Sequence, residues 1–225
     1  MIGYTQIGNV LGYSMLDGER VPMEGRLSYR GFDLVDLIEG YQRENRYGFE
    51  EVCYLLLMGR LPGNEELEQF RSFLHASMAL PNHFTEDMIL KNPSGEIMNQ
   101  LGRAVLALYS NAPDPANSSL ENIVRQCFQL IARFPTIIAN AYAVKRHYFN
   151  NASLYLHRPV KGLSIAENFL RAIRPDKQYT QDEARLLDLC LIAHAEHGGG
   201  NNSTFTCRVL SSTGTDTYSA ISAAV

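Results

Sequence analysis

The chain has 225 residues, of which 45% are hydrophobic and 20% charged, and its formal net charge is −4 at pH 7. This composition is typical of a globular protein, and the acidic balance argues against a nucleic-acid partner, because phosphate binding normally requires a basic surplus. No apolar stretch approaches the length that a membrane-spanning helix needs, so we expect no membrane partner.

The N-terminus and the cysteines bear on the compartment. The first residues carry neither a basic region nor a long apolar region, so we expect no signal peptide. The four cysteines are Cys53, Cys127, Cys190 and Cys207. They form no Cys-x-x-Cys pair, and three lie in apolar runs, where they are expected to be small buried hydrophobic residues. We therefore expect a reducing, cytoplasmic location.

In chain order, residues 1–30 come first and differ from the rest. They are rich in glycine, lack helical periodicity and contain the turn signal Asp17-Gly18. We interpret them as a turn-rich N-terminal arm with room for a short hairpin. Residues 31–225 are then predicted to form one helical large-domain segment. Because strand signals are scarce, the predicted fold class is all-α.

Apolar spacing and capping residues define the helices. Gly59 is a natural residue to end one helix, Asn64 is predicted to cap the next, and Pro135 is placed in the first turn of a new helix after Phe134. Thr180 is predicted to cap a later helix. The predicted helices are 32–40, 49–58, 64–79, 84–91, 94–109, 119–133, 135–149, 164–173, 180–195, 203–212 and 217–225.

The segment HAEHGGGNNSTFT, residues 194–206, is the most informative for chemistry. His194 and His197 are three residues apart, which places them on one face of a helix. Three glycines then break that helix and allow the backbone to approach a ligand. Polar residues follow at the start of the next helix, whose N-terminus favours anions. A carboxylate ligand is physically reasonable here.

The segment also fits two other interpretations. Glycine followed by Asn and Ser is also ordinary punctuation between two helices, and a lone histidine is more often structural than functional. A zinc site would need third and fourth ligands that the neighbourhood does not offer, and the His-Glu-x-x-His pattern of metalloproteases is absent. We expect no metal.

The segment resembles the citrate synthase family, in the branch with three glycines after the second histidine. Four earlier segments match family motifs in the same order, so the resemblance covers essentially the whole chain. These are residues 25–33 (GRLSYRGFD), 49–62 (FEEVCYLLLMGRLP), 134–142 (FPTIIANAY) and 163–170 (LSIAENFL).

The resemblance implies a reaction and roles for individual residues. The family joins acetyl-CoA to oxaloacetate and hydrolyses the product to citrate and CoA, with no bound cofactor. His197 would bind oxaloacetate. Asn201 and Ser203 would support the site, the serine by orienting the histidine that stabilises the enol of acetyl-CoA. His194 is interpreted as structural, and Arg30 as a structural ion-pair residue.

The family's catalytic residues do not occur in this sequence. The first catalytic histidine belongs to a Gly-Pro-x-His-Gly-Gly segment, and no Gly-Pro dipeptide occurs here. The second histidine, the aspartate base and the arginines that bind the carboxylates of oxaloacetate come later in the family. The final run ends at Val225 without a cap, so we expect the chain to be cut within a helix, and to be inactive alone.

The sequence leaves open the kind of protein, the parent activity and the oligomeric state. The chain is either part of an enzyme or a non-catalytic binding or dimerisation module on the same helical scaffold. The parent enzyme is either citrate synthase or 2-methylcitrate synthase. The resemblance implies a homodimer, and uncovered apolar faces are expected to promote oligomerisation.

Overall fold

The computed structural model describes residues 5–225, and helices dominate it, so the predicted all-α class is confirmed. The described residues form two compact units: one joins the chain up to Phe70 to Arg185–Asn201, the other joins Arg71–Ala184 to Asn202–Val225. The elements are β1 (Gly8–Leu16), β2 (Glu19–Tyr29), β3 (Phe32–Asp33), α1 (Leu34–Arg43), α2 (Phe49–Met58), α3 (Asn64–Ser77), a π-helical turn (Thr85–Leu90), α4 (Ile97–Leu108), a 3-10 turn (Tyr109–Asn111), α5 (Leu120–Asn150), α6 (Ile165–Ile173), α7 (Gln181–His194), α8 (Asn202–Ser212) and α9 (Thr217–Ala224).

Strands β1 and β2 form an antiparallel hairpin that is much longer than the sequence led us to expect. Asp17 and Gly18 connect them with φ values of 50° and 86°, as a two-residue type I′ turn requires. The length of the strands was underestimated because nearly all their side chains are exposed, so burial imposes no alternation of apolar and polar residues. Part of the predicted arm, residues 1–4, lies outside the described residues.

The first unit has its own hydrophobic core. Helices α1 and α2, the end of β2 and the second half of α7 contribute to it. Helix α2 ends at Gly59, as predicted, with a left-handed φ of 81°. The buried core residues are Tyr29, Leu37, Tyr41, Val52, Leu55 and Ile192.

A buried carboxylate holds the start of α2. Asp188, on α7, is 2% exposed and accepts hydrogen bonds from the backbone nitrogens of Gly48, at 2.8 Å, and Phe49, at 3.2 Å. The free N–H groups at a helix start need acceptors, and a negative charge there also favours the helix dipole. Asp188 thus fixes α7 against α2.

Arg30 makes a structural contact, but within residues 5–225 that contact is to a backbone carbonyl and is not the ion pair that we predicted. Its Nε and Nη2 atoms donate to the carbonyl oxygen of Leu56 at 3.0 and 2.6 Å. Carbonyls in the last turn of a helix lack partners within the helix. Arg30 therefore satisfies the C-terminal turn of α2.

The core of the second unit surrounds α5. Side chains from α4, α5 and α9 meet there, including Leu101, Leu108, Ile137, Val144 and the fully buried Tyr218. Each helix presents an apolar face to this cluster, as amphipathic helices do. Burial of these faces holds the unit together.

The predicted break before Pro135 is wrong, because α5 runs without interruption from Leu120 to Asn150. A proline inside a helix costs about 3 kcal/mol relative to alanine. Buried residues on both sides, among them Leu130, Ala132 and Ile137, hold the two halves in one packed helix. Tertiary packing therefore outweighs the local preference.

Helix α5 also passes a length and composition test for membrane spans. It has 31 residues, and one 18-residue window reaches a mean hydropathy of 1.2. The core helix of a soluble protein passes the same test, and α5 lies in the core of its unit, where buried Asn140 donates to the Thr85 hydroxyl. The absence of a membrane partner stays a prediction.

Two helix starts use a reciprocal cap and one differs from prediction. Thr180 caps α7 as predicted, because its hydroxyl accepts from the Glu183 nitrogen while the Glu183 carboxylate accepts from the Thr180 nitrogen. Ser164 and Glu167 form the same arrangement at α6. Asn64, however, is the first residue of α3, and Gly63 takes the cap position, because its carbonyl accepts from the Leu67 nitrogen at 2.9 Å.

The expected burial of the cysteines is only partly correct. Cys53 is buried, Cys127 and Cys207 are intermediate, and Cys190 is exposed. All four are free thiols. Cys190 follows an apolar run in the sequence but lies on the outer side of α7, so a run of apolar residues does not by itself assign the buried face.

Candidate functional site

The two motif histidines do not share a helix face, contrary to our expectation. Helix α7 ends at His194, where the Ala195 nitrogen bonds to the Ile192 carbonyl at 3.2 Å. His197 lies beyond the end, in the segment that we call the histidine loop, residues 195–201. His194 bonds through Nδ1 to the Cys190 carbonyl at 2.8 Å, which agrees with its structural interpretation.

His197 and Asn201 are brought together. The Asn201 side-chain nitrogen Nδ2 lies 3.2 Å from His197 Nε2, and the His197 side chain is exposed. An amide nitrogen can only donate, so in this orientation Nε2 accepts, and the neutral imidazole carries its proton on Nδ1. Asn201 therefore restrains the ring and leaves an N–H donor on its other nitrogen.

Glu196 fixes the backbone of the histidine loop. Its Oε1 accepts a 2.6 Å hydrogen bond from the nitrogen of Gly198, whose φ of 102° favours glycine. Gly8 in β1 packs directly on this carboxylate side chain, since a Cβ at Gly8 would lie 2.6 Å from Glu196 Cγ. The first of the three motif glycines is thus needed for its conformation, and Gly8 for its small size.

Tyr29 ties the loop to the core of the first unit. Its buried hydroxyl donates to the Ile192 carbonyl at 2.8 Å and accepts from the Glu196 nitrogen at 3.4 Å. Burial raises the pKa of the Tyr29 phenol above its ordinary value, because the charged form would lose its hydration. The hydroxyl therefore stays protonated and keeps its role as a donor.

Ser203 lies in the first turn of α8, which belongs to the second unit. Its side chain is exposed. Backbone N–H groups in the first turn of a helix have no partner within the helix and favour an anion nearby. The supporting role of Ser203 stays a prediction.

Among the residues that the structure describes, no group of three His, Cys, Asp or Glu side chains is arranged to hold a metal ion.

Comparison with known proteins assigns the chain to a family. The family model described as "Citrate synthase, C-terminal domain" matches residues 2–225. The chain belongs to the citrate synthase family. It is 36% identical over 209 residues to a citrate synthase of Acidithiobacillus ferridurans, a match that covers 89% of this chain and 50% of that protein.

Two further relatives extend this result. A 2-methylcitrate synthase 1 of Corynebacterium glutamicum is 30% identical over 226 residues, covering 99% of this chain and 53% of that protein. The citrate synthase of Thermoplasma acidophilum, solved as a ternary complex with carboxymethyl coenzyme A and oxaloacetate, is 25% identical with a TM-score of 0.77. That match covers 100% of this chain and 52% of the other. The chain spans about half the length of the relatives it matches.

Some residues of the site were not predicted from the sequence. Tyr29 and Glu196 lie inside two motifs that carry the citrate synthase resemblance, but the sequence does not show that they meet across 167 positions. Gly8 lies outside those motifs. Its only local signal is a glycine within a strand, which often marks a close approach of another part of the chain.

Proposed function

We propose that these 225 residues supply part of the oxaloacetate site of a citrate synthase, an acyltransferase that converts acetyl-CoA, oxaloacetate and water into citrate and CoA. His197 is the substrate-binding residue, and Asn201 and Ser203 support the site. The observation that carries the proposal is the His197–Asn201 pair in a loop of a chain that belongs to this family. The ternary complex of the Thermoplasma acidophilum relative, with oxaloacetate bound, supports the choice of ligand.

The geometry suits a dicarboxylate ligand. With Nε2 engaged by Asn201, the Nδ1–H of His197 is available to donate to a carboxylate or ketone oxygen. A hydrogen bond to a charged group contributes about 1.5–3 kcal/mol. The imidazole therefore binds and orients the substrate, while proton removal from the acetyl methyl belongs to the aspartate base of the family, which lies in a later segment than those matched here.

A titration of the chain with oxaloacetate tests the binding role. Isothermal titration calorimetry is expected to show saturable binding that His197→Gln weakens about tenfold or more, the fold-change for about 1.4 kcal/mol. His194→Gln is the matched control, since it changes the other histidine of the motif, and it should retain the affinity within a factor of about two. Equal losses in both variants would contradict the assignment of His197.

We also propose that the chain alone does not turn over. Citrate formation needs a positioned base and an enol-stabilising donor together. The family motif that carries the first catalytic histidine, Gly-Pro-x-His-Gly-Gly, does not occur in the sequence. Spectroscopic detection of thiol release from acetyl-CoA and oxaloacetate should give no signal above the protein-free rate, and turnover by the pure chain would refute the proposal.

2-Methylcitrate synthase is the second candidate for the parent activity, and the Corynebacterium glutamicum relative supports it. Both activities use oxaloacetate, and the additional methyl group requires propionyl-CoA as the donor. An enzyme that contains this chain should therefore be assayed with both acyl-CoA esters, and the larger kcat/KM identifies the activity.

A non-catalytic module on the same scaffold is the other alternative. It would show no saturable binding of oxaloacetate in the titration above, whereas the proposed site would. The cytoplasmic location, inferred from the cysteine pattern, and the homodimer, implied by the family resemblance, remain proposals. Light scattering tests the second, and a monodisperse monomer would contradict it.

A further inference from the structure

A cavity in the second unit has no part in the proposed oxaloacetate site. It has a volume of about 310 Å³ and lies between the C-terminal half of α5, residues 152–155 and the end of α6. This volume is at the lower end of those of small-molecule sites, which run from about 300 to 1,000 Å³. The cavity is therefore large enough for one small ligand.

The charge of the cavity is positive. Arg146 lines it, and no carboxylate among residues 5–225 pairs with this guanidinium, which lies over the ring of Tyr142 with its Cζ 5.8 Å from the ring centroid. Arg174 also lines it but is held by both carboxylate oxygens of Glu183. Asp and Glu are absent from the lining, so the cavity offers one uncompensated cation to an anion.

Hydroxyl groups and aromatic rings complete the lining. Within the described part of the chain, the hydroxyls of Tyr142, Ser153 and Tyr155 have no hydrogen-bond partner. The Tyr155 side chain is 48% exposed, and its ring stacks on His157 at an interplanar angle of 29°. An aromatic ring with this much open surface is available to stack on a planar ligand.

We propose that this cavity binds a phosphate monoester carried on a planar ring, as in a nucleoside monophosphate. The guanidinium of Arg146 and the three hydroxyls match the terminal phosphate oxygens in number and chemistry, since arginine donates to phosphate through a fork of N–H groups. The Tyr155 ring stacks on the planar group. The inference does not rest on the proposed citrate synthase activity.

The cavity beside Tyr41 in the first unit is a useful contrast. It is of similar size, about 250 Å³, and also contains arginine and tyrosine. However, the buried carboxylate of Asp188 lines it, and its Arg46 is paired with Glu44 and Glu51. These carboxylates would repel an anion, so we assign no anion site to this cavity.

Calorimetric titration of the 225-residue chain with adenosine 5′-monophosphate, adenosine and inorganic phosphate tests the proposal. Saturable binding of the monophosphate is expected, about tenfold or more tighter than either fragment, because each lacks one half of the recognition. If adenosine binds as tightly, the anion site is refuted. If inorganic phosphate binds as tightly, the stacking role is refuted, and absence of monophosphate binding at millimolar concentration refutes both.

Variants place the binding in this cavity. Arg146→Gln should weaken monophosphate binding about tenfold or more, while Arg158→Gln, which removes an exposed arginine outside the lining, should leave it within about twofold. Equal effects of the two changes would overturn the location. Tyr155→Leu, at an exposed position, should weaken the binding of the monophosphate but not that of inorganic phosphate. If Arg146→Gln loses its helical circular dichroism, Tyr155→Leu becomes the deciding variant.

Discussion

The phenol oxygen of Tyr29 donates a 2.8 Å hydrogen bond to the carbonyl oxygen of Ile192, which joins the end of the hairpin to the last turn of α7. The same oxygen accepts from the nitrogen of Glu196 at the start of the histidine loop. One side-chain atom therefore holds both the end of the helix and the beginning of the loop that carries His197.

Tyr29→Phe tests this connection. The ring stays, but two backbone groups lose their partner, so we expect a loss of about 1 kcal/mol in the free energy of unfolding. Urea denaturation followed by circular dichroism measures it. Tyr13→Phe removes the hydroxyl of a half-exposed ring in the same hairpin and should have no effect. A similar loss in both variants would show that the buried hydrogen bond is unimportant.

Gly8→Ala should disturb the histidine loop from a distance. The new Cβ would lie 2.6 Å from Glu196 Cγ, so Glu196 has to move and its bond to the Gly198 nitrogen weakens. We expect weaker oxaloacetate binding in the calorimetric titration.

Gly12→Ala in the same strand is the matched control for this prediction. A Cβ at Gly12 meets nothing within 4 Å, so the change should leave oxaloacetate binding as it is. Unchanged binding in Gly8→Ala as well would show that Glu196 does not position the loop.

Helix periodicity was a reliable guide to the helices of this chain, whereas contacts between residues far apart in the sequence were not predicted. The predicted end of α2 at Gly59 is correct because a left-handed residue there is a local requirement of the backbone. The break predicted at Pro135 fails because packing across the whole core decides it. The hairpin was underestimated because its exposed faces carry no burial pattern, and the Tyr29–Ile192 contact spans 163 positions, which no local rule addresses.

The candidate site shows the same division. His197 and Asn201 are four positions apart, so the motif alone brought both into the prediction. The expectation that His194 and His197 share a helix face failed because α7 ends at His194. Periodicity continues through the last helical residues, whereas Tyr29 bonds to the Ile192 carbonyl near the helix end and Glu196 bonds to the Gly198 nitrogen just beyond it, and periodicity does not reveal these contacts.

Asp188→Ala should destabilise the chain strongly. The buried carboxylate accepts from the nitrogens of Gly48 and Phe49, and its loss leaves donors at the start of α2 without a partner. Hydrogen bonds to charged groups contribute about 1.5–3 kcal/mol, so we expect a loss of about 2–3 kcal/mol by urea denaturation. Asp36→Ala, at an exposed position in the first turn of α1, should cost much less.

Glu183 predicts a pH dependence of stability. The Arg174 guanidinium, aided by the Thr180 nitrogen, lowers the pKa of this carboxyl from 4.5 to about 2. Because the pKa is lower in the folded state, the stabilisation is complete above about pH 4.5 and is lost as the pH falls towards 2. Glu183→Gln should therefore be less stable than the wild type at neutral pH, with a difference that shrinks across this range.

Thermal unfolding at a series of pH values measures that difference. Glu39→Gln, at an exposed position of α1, is the matched control and should follow the wild-type curve at every pH. A difference between Glu183→Gln and the wild type that stays constant down to pH 2 would show that the ionised carboxylate is not the stabilising form.

The hairpin provides a position for a label that is remote from the histidine loop but on a strand that contacts it. Gly8 lies against Glu196 and Val10 against Gly198, whereas the turn at Asp17 and Gly18 is exposed and lies about 30 Å from Gly8 along the strand, at about 3.3 Å per residue. A fluorophore attached at this tip is remote from the loop yet sits on a strand that contacts it. Such a label tests whether ligand binding at the loop changes the mobility of the hairpin, without altering any group that binds the ligand.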